Sequence, residues 1–120
     1  MDSMQALHAF WAGFGIRAYD ENTVPTGAEL PYITYAARQG YWGQTVALTA
    51  SIWYRDMSWS SITAKAEQIG DALAHGGLFV RFDGGILWLR RGTPFAQRMS
   101  DEDPAIRRIY LNVECDFLKE

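Results

Sequence analysis

The sequence predicts an α+β fold in one domain spanning residues 1–120, a mostly antiparallel sheet of about five strands with two helices packed on one face. Three observations point there. Residues 44–54, "QTVALTASIWY", and 106–118, "IRRIYLNVECDFL", alternate apolar and polar side chains with period two. Residues 2–14 and 58–75 instead repeat their apolar residues at steps of three and four. An Asp83-Gly84-Gly85 stretch between two short apolar runs is a hairpin signal, because a tight turn needs a residue that tolerates positive φ.

Taken in chain order, Met4, Leu7, Trp11 and Phe14 form one face of the first helix, with Phe10 beside them and Gly13 and Gly15 suited to its end. "RAYDENTVPTGAELP" is rich in Asp, Asn, Pro and Gly and is expected to be loop. Pro31 pushes Leu30 toward extended geometry and so leads into a strand, "YITYAA". In 44–54, Val46, Leu48, Ala50 and Ile52 share one face and Thr45, Thr49, Ser51 and Trp53 the other, a half-buried strand. Ser58 and Ser60 are candidate caps for a helix carrying Ile62, Ala66, Ile69 and Leu73, which Gly76-Gly77 stops. "LFVRFDGGILWLRR" then reads as a hairpin, "GTPFAQRMSDED" (92–103) as a long connection, and 106–118 as a strand. In that last strand Ile109, Leu111, Val113, Cys115 and Phe117 face one way and Tyr110, Asn112, Glu114 and Asp116 the other.

Composition narrows the function classes. The chain has a net charge of −3 and a pI near 5.3, so it lacks the basic footprint of a nucleic-acid binder. One cysteine rules out an internal disulfide and makes a cytoplasmic compartment the default. No window approaches the length of apolar chain a membrane span requires, and the N-terminus lacks the basic start and apolar run of a signal peptide.

The candidate reactive groups are sparse. Asp101, Glu102 and Asp103 stand side by side before Pro104, where carboxylates diverge and stay solvated; they lack the alternating oxygen ligands of a calcium loop. His8 flanks the first helix stripe, and His75 falls in the last turn of the second helix, where a cation complements the helix dipole. With one Cys these do not supply metal-ligand spacing, so neither metal nor cofactor is expected. Cys115 lies on the apolar side of its strand and is expected to be a small buried hydrophobe; a Cys–His nucleophile is the enzymatic alternative. Asp83-Gly84-Gly85 lacks the lysine and the strand-to-helix context of a phosphate loop. Arg90-Arg91 and Arg107-Arg108 flank the long connection and are expected to be local charge partners.

Aromatic residues carry more information. Trp53, together with Trp88 or its neighbours Leu87 and Leu89, is expected on the sheet face away from the helices, where clustered aromatics mark an interface. The alternative is that residues 15–30 fold over that face.

The phrases "VPTGAELPYITY", "LTASIWYRDMSW" and "GTPFAQRMSDEDPAIRRIYLNVECDFL", in this element order, resemble the small tail terminator (tail completion) proteins of long-tailed phages and Gram-positive prophages. Small head–tail joining proteins share the same size and order. The resemblance covers nearly the whole chain and includes no catalytic motif. It implies a non-enzymatic structural protein, free of cofactors, that forms a ring of about six chains at the head-proximal end of a tail tube. There it would stop tube polymerisation, contact the tail tube protein and a head-completion protein, and let DNA pass without specific binding. It would reside in the virion tail, and in the host cytoplasm during assembly. Under that resemblance the expected interface comprises Trp53, Trp88, Phe95, Arg98, Met99, Asp101, Glu102 and Asp103, with residues 92–104 acting as a contact arm, while Glu114 and Asp116 would face the lumen. An intracellular adaptor binding a partner through the aromatic face is the alternative from a different class.

Overall fold

The computed structural model describes residues 1–120. Helix α1 (Ser3–Ala12) is followed by β1 (Arg17–Asp20), β2 (Tyr32–Tyr35), β3 (Thr45–Arg55), α2 (Ser60–Ala72), β4 (Leu78–Phe82), β5 (Gly85–Met99) and β6 (Ile106–Lys119). The strands form one six-stranded sheet in the order β1-β2-β3-β6-β5-β4. Every neighbouring pair is antiparallel except β1 with β2. The α+β class therefore holds, with six strands in place of about five.

The extra strand is β1, which lies within the stretch expected to be loop. Four residues, "RAYD", are too few to show a period. They become a strand because residues 21–31 return the chain so that Arg17–Asp20 pairs in register with Tyr32–Tyr35, and Ala18 enters the core.

Both helices lie on one face of the sheet. α1 begins with a capping box: the Gln5 N–H donates to Asp2 Oδ1 at 2.8 Å, and the Asp2 N–H donates to Gln5 Oε1 at 2.9 Å. It buries Ala6, Leu7, Phe10 and Trp11, and α2 buries Ile62, Ala66 and Ile69. These meet Leu48, Ala50 and Ile52 of β3, Leu87 and Leu89 of β5, and Ile109 through Phe117 at alternate positions of β6 in a single core. The α2 cap differs from expectation. Trp59 occupies the N-cap without a side-chain bond, and Ser58 Oγ accepts the Ser60 N–H at 3.0 Å. His75 lies beyond the end of α2 at φ 57°, so it is no last-turn residue of the helix.

The Asp83-Gly84 turn forms as expected, with Phe82 paired to Gly85 and Gly84 at φ 87°. The largest departure is in residues 92–104. Residues 92–99 continue β5 along β6, and only 100–105 form the connection. Between Arg91, paired with Val113, and Ala96, paired with Leu111, four residues of β5 bulge opposite Asn112 alone. The Asn112 side-chain amide donates to the Pro94 carbonyl at 3.0 Å and pins the bulge. A Cβ on Gly92 would sit 2.9 Å from Asn112 Cβ, so only glycine fits this crossing.

Candidate interaction surface

The sheet face away from the helices is built from the polar parity of every strand, and three groups of side chains occupy it. At one end Trp88 stacks on Phe79 with ring centroids 5.9 Å apart, and its indole N–H donates to the Gly76 carbonyl at 2.7 Å. Phe79 is 61% exposed, which makes this end an uncovered aromatic step. Leu87 and Leu89 turn into the core, so of the residues expected around position 88, it is Trp88 that faces out. The Arg90 guanidinium lies 4.0 Å from the Trp88 ring centroid and pairs with Asp116 at 3.1 Å and Glu114 at 3.6 Å.

Asp116 has its carboxyl held below the usual carboxylate range, first by the Thr45 hydroxyl, which donates to it at 2.5 Å, and then by Arg90. Glu114 and Asp116 do share the outer face, as their parity requires. Arg90 between them cancels part of the negative charge expected there.

At the centre of the face, Trp53 of β3 lies opposite Arg108 of β6. The Trp53 N–H donates to Thr34 Oγ1 at 2.9 Å, and Arg108 Nε donates to Ser51 Oγ at 3.1 Å. The Arg108 guanidinium is flanked by Trp53 at 4.6 Å and Tyr110 at 5.9 Å from the ring centroids. Glu21 and Val24, from the connection after β1, rise at the rim, so that loop borders the face without sealing it. The third group is at the end of β5, where Met99 pairs with Arg108 and stays 38% exposed on the same face.

The rest of the expected contact arm points elsewhere. Phe95 packs against α2, where a Cβ on Gly70 would lie 3.1 Å from the Phe95 ring. Arg98 faces the helices, with its guanidinium 4.7 Å from the Trp59 ring centroid; Arg107 approaches that ring at 5.2 Å. The acidic turn is also partly internal. Asp101 Oδ1 accepts the Asp103 N–H at 2.9 Å, Asp103 Oδ1 accepts the Ala105 N–H at 2.8 Å, and Arg55 pairs with Asp103 at 3.4 Å. Glu102 is the acid of this turn left to solvent. The basic pairs also divide: Arg90 and Arg108 face outward, whereas Arg107 donates to the Pro104 and Met57 carbonyls.

No family model and no curated protein matches the chain. Among solved structures, a chain of "Virion of native gene transfer agent (GTA) particle" is similar to it, with a TM-score of 0.61 and 22% identity over 94% of this chain and 89% of that one. At that identity the likeness is one of fold.

The reactive candidates are accounted for by the geometry. Cys115 is fully buried on the core side of β6, and burial pushes its thiol up to about 12. His8 Nδ1 lies 2.8 Å from the Tyr35 hydroxyl, a structural bond. A thiol reagent should leave Cys115 unmodified in the folded protein and label it in denaturant; rapid labelling of folded chain would contradict the burial. The shift also sets an alkaline limb. An unfolded thiol ionises at about 8.5, whereas the folded one holds its proton to about 12. Stability is therefore complete below the unfolded value and falls as pH rises from about 8.5 toward about 12. Tyr35 and Tyr54, both raised by burial, act in the same direction.

Sequence reasoning placed Trp53 and Trp88 on the outer face but missed the Arg108 group. Its signal lies in register: Arg108 becomes notable once it is known to lie opposite Trp53 and diagonal to Ser51, which no local pattern reveals.

Proposed function

We propose that the chain is a structural protein of a phage-like tail, one that assembles as a ring of about six copies on the head-proximal end of the tail tube. It ends tube polymerisation there and offers a docking surface to the head. The observation that carries this reading is the fold shared with the virion chain over nearly the whole length of both. The resemblance of the quoted phrases to tail terminators adds the station in the particle. The partners are a tail tube protein and a head-completion protein. DNA passes through without specific binding, and the protein is located in the virion tail and, during assembly, the host cytoplasm. The role in this reading is non-catalytic, and the burial of the sole thiol, held protonated, supports it.

A closed ring needs two different patches that fit one another. The outer aromatic face with Trp53, Trp88 and Met99 supplies one; Arg98 with Trp59 on the helix side, next to the Asp101–Asp103 turn, supplies a second of opposite orientation. Charge at the turn sets orientation more than affinity. Light scattering over a concentration series should show a species of about six chains, and added chain should shorten tubes polymerised from a tail tube protein. Tubes of unchanged length distribution would overturn the capping role.

In this arrangement Glu114 and Asp116, at the Trp88 end of that face, border the lumen at the edge of the contact. Replacing them as Glu114→Gln with Asp116→Asn leaves Arg90 unopposed and should make rings retain DNA at low salt on a filter. Retention equal to the wild type would remove them from the lumen.

A further inference from the structure

Three of the chain's nine arginines have carboxylate partners. Arg55 pairs with Asp103, Arg81 with Glu120, and Arg90 with Glu114 and Asp116. Of the six without a carboxylate within 4.0 Å, only Arg107 and Arg108 are half-buried, and Arg107 donates its Nη groups to the Pro104, Ile106 and Met57 carbonyls. A guanidinium carries five N–H donors, and the chain uses only the Nε–H, on Ser51 Oγ at 3.1 Å. The Nη groups have no partner in the chain, and Arg108 lines a pocket of about 260 Å³ together with Thr34, Thr49, Ser51, Trp53 and Tyr110.

The pocket is stiff before anything enters it. Trp53 is tied to Thr34, Arg108 is tied to Ser51, and the guanidinium lies between the Trp53 and Tyr110 rings. Ser51 and Thr34 are the two buried polar residues of the chain, at 4% and 9% exposure, and both open onto this one pocket. Burying hydroxyls and a charge is costly unless they are paired, and here the strands place them together around an unspent fork of donors.

We propose that this pocket is a carboxylate-binding site, which takes one Asp or Glu side chain presented by another protein chain. The planar fork matches a carboxylate in two parallel bonds, and fixing it by stacking reduces the entropy lost on binding. A phosphate backbone fits less well, because Glu21 at the rim and Glu114 and Asp116 on the same face repel a polyanion, whereas a single carboxylate meets only Glu21. A protein source follows from the rim: Arg, Trp and Tyr in a shallow recess are the residue types that dominate protein interfaces. The site lies on the face that the ring reading gives to a neighbouring copy, but it does not depend on that reading, since any acidic partner side chain satisfies it.

The test uses the full ¹⁵N-labelled chain. Its Trp53 indole N–H and Arg108 Nε–H resonances are followed by NMR, each identified by its loss in Trp53→Phe or Arg108→Lys. Acetyl-Ala-Glu-Ala-amide should shift the Trp53 resonance saturably and the Gln counterpart should not. Arg108→Lys should weaken binding by about tenfold or more, because a point charge replaces the fork. Ser51→Ala, which frees the guanidinium without removing it, should weaken it by less. Glu21→Gln should strengthen it by about twofold. Equal shifts from the Gln peptide, or undiminished binding by Arg108→Lys, would overturn the site. Acetate binding as tightly as the peptide would overturn the assignment to a protein side chain, and tighter binding of inorganic phosphate would overturn the assignment to a carboxylate.

Discussion

Trp11→Ala should lower the unfolding free energy by about 3–5 kcal/mol, whereas Trp11→Phe should cost only about 1–2 kcal/mol. Trp11 is fully buried, with Phe10 edge-on at 4.8 Å and Tyr35 stacked at 6.5 Å between ring centroids. It joins α1 to the inner face of β2, so truncation to Ala opens a cavity at the centre of the helix-to-sheet contact. Its indole N–H, however, meets no acceptor in the chain. An unpaired buried donor already costs the folded state about 1–3 kcal/mol of desolvation. Phenylalanine removes that donor together with part of the ring, so relief of the orphan offsets much of the lost packing. Urea unfolding of both variants, followed by circular dichroism, decides the matter. Equal losses in the two variants would mean that the indole N–H is satisfied in solution, and the offset would be wrong.

How much of this molecule was legible in its sequence depends on the length and regularity of each element. β3 and β6 are long and alternate cleanly, so period two fixed both their existence and their buried faces. α2 was legible from Ile62, Ala66, Ile69 and Leu73, all of which are buried. β1 was not, because its strand character comes from its partner rather than from its own four residues.

Residues 92–99, expected to belong to a long connection, were illegible for a different reason. Gly92 and Pro94 look like a break, yet they form a bulge inside a continuing strand. The bulge also inverts parity. Before it, Leu87 and Leu89 face the core and Trp88 faces out; after it, Ala96 and Arg98 lie opposite the core-facing Leu111 and Ile109, and Gln97 and Met99 face out. Counting along the chain cannot see the inserted residues, so the expected interface residues were assigned to one arm when they belong to two faces.

That inversion separates two substitutions which the sequence alone would treat as one. If the proposed ring forms through the outer face, Met99→Ser should leave the fold intact and shift assembly toward monomer by at least about tenfold in concentration, since an apolar anchor at an interface is worth about 1–2 kcal/mol per contact. Met99 is exposed on the outer face beside Arg108, and no core residue depends on it. Phe95→Ser should act on the fold instead, costing about 2 kcal/mol, because the ring fills the space over Gly70 of α2 and has no smaller substitute there. Light scattering and thermal unfolding of each variant read the two effects separately. A Met99→Ser protein whose mass matches the wild type at every dilution would take Met99 out of the interface, and a Phe95→Ser protein that unfolds at the wild-type midpoint would mean that α2 does not rest on this ring. Loss of assembly in Phe95→Ser at unchanged stability would restore Phe95 to the contact surface, because a side chain spent on its own helix cannot also anchor a neighbour.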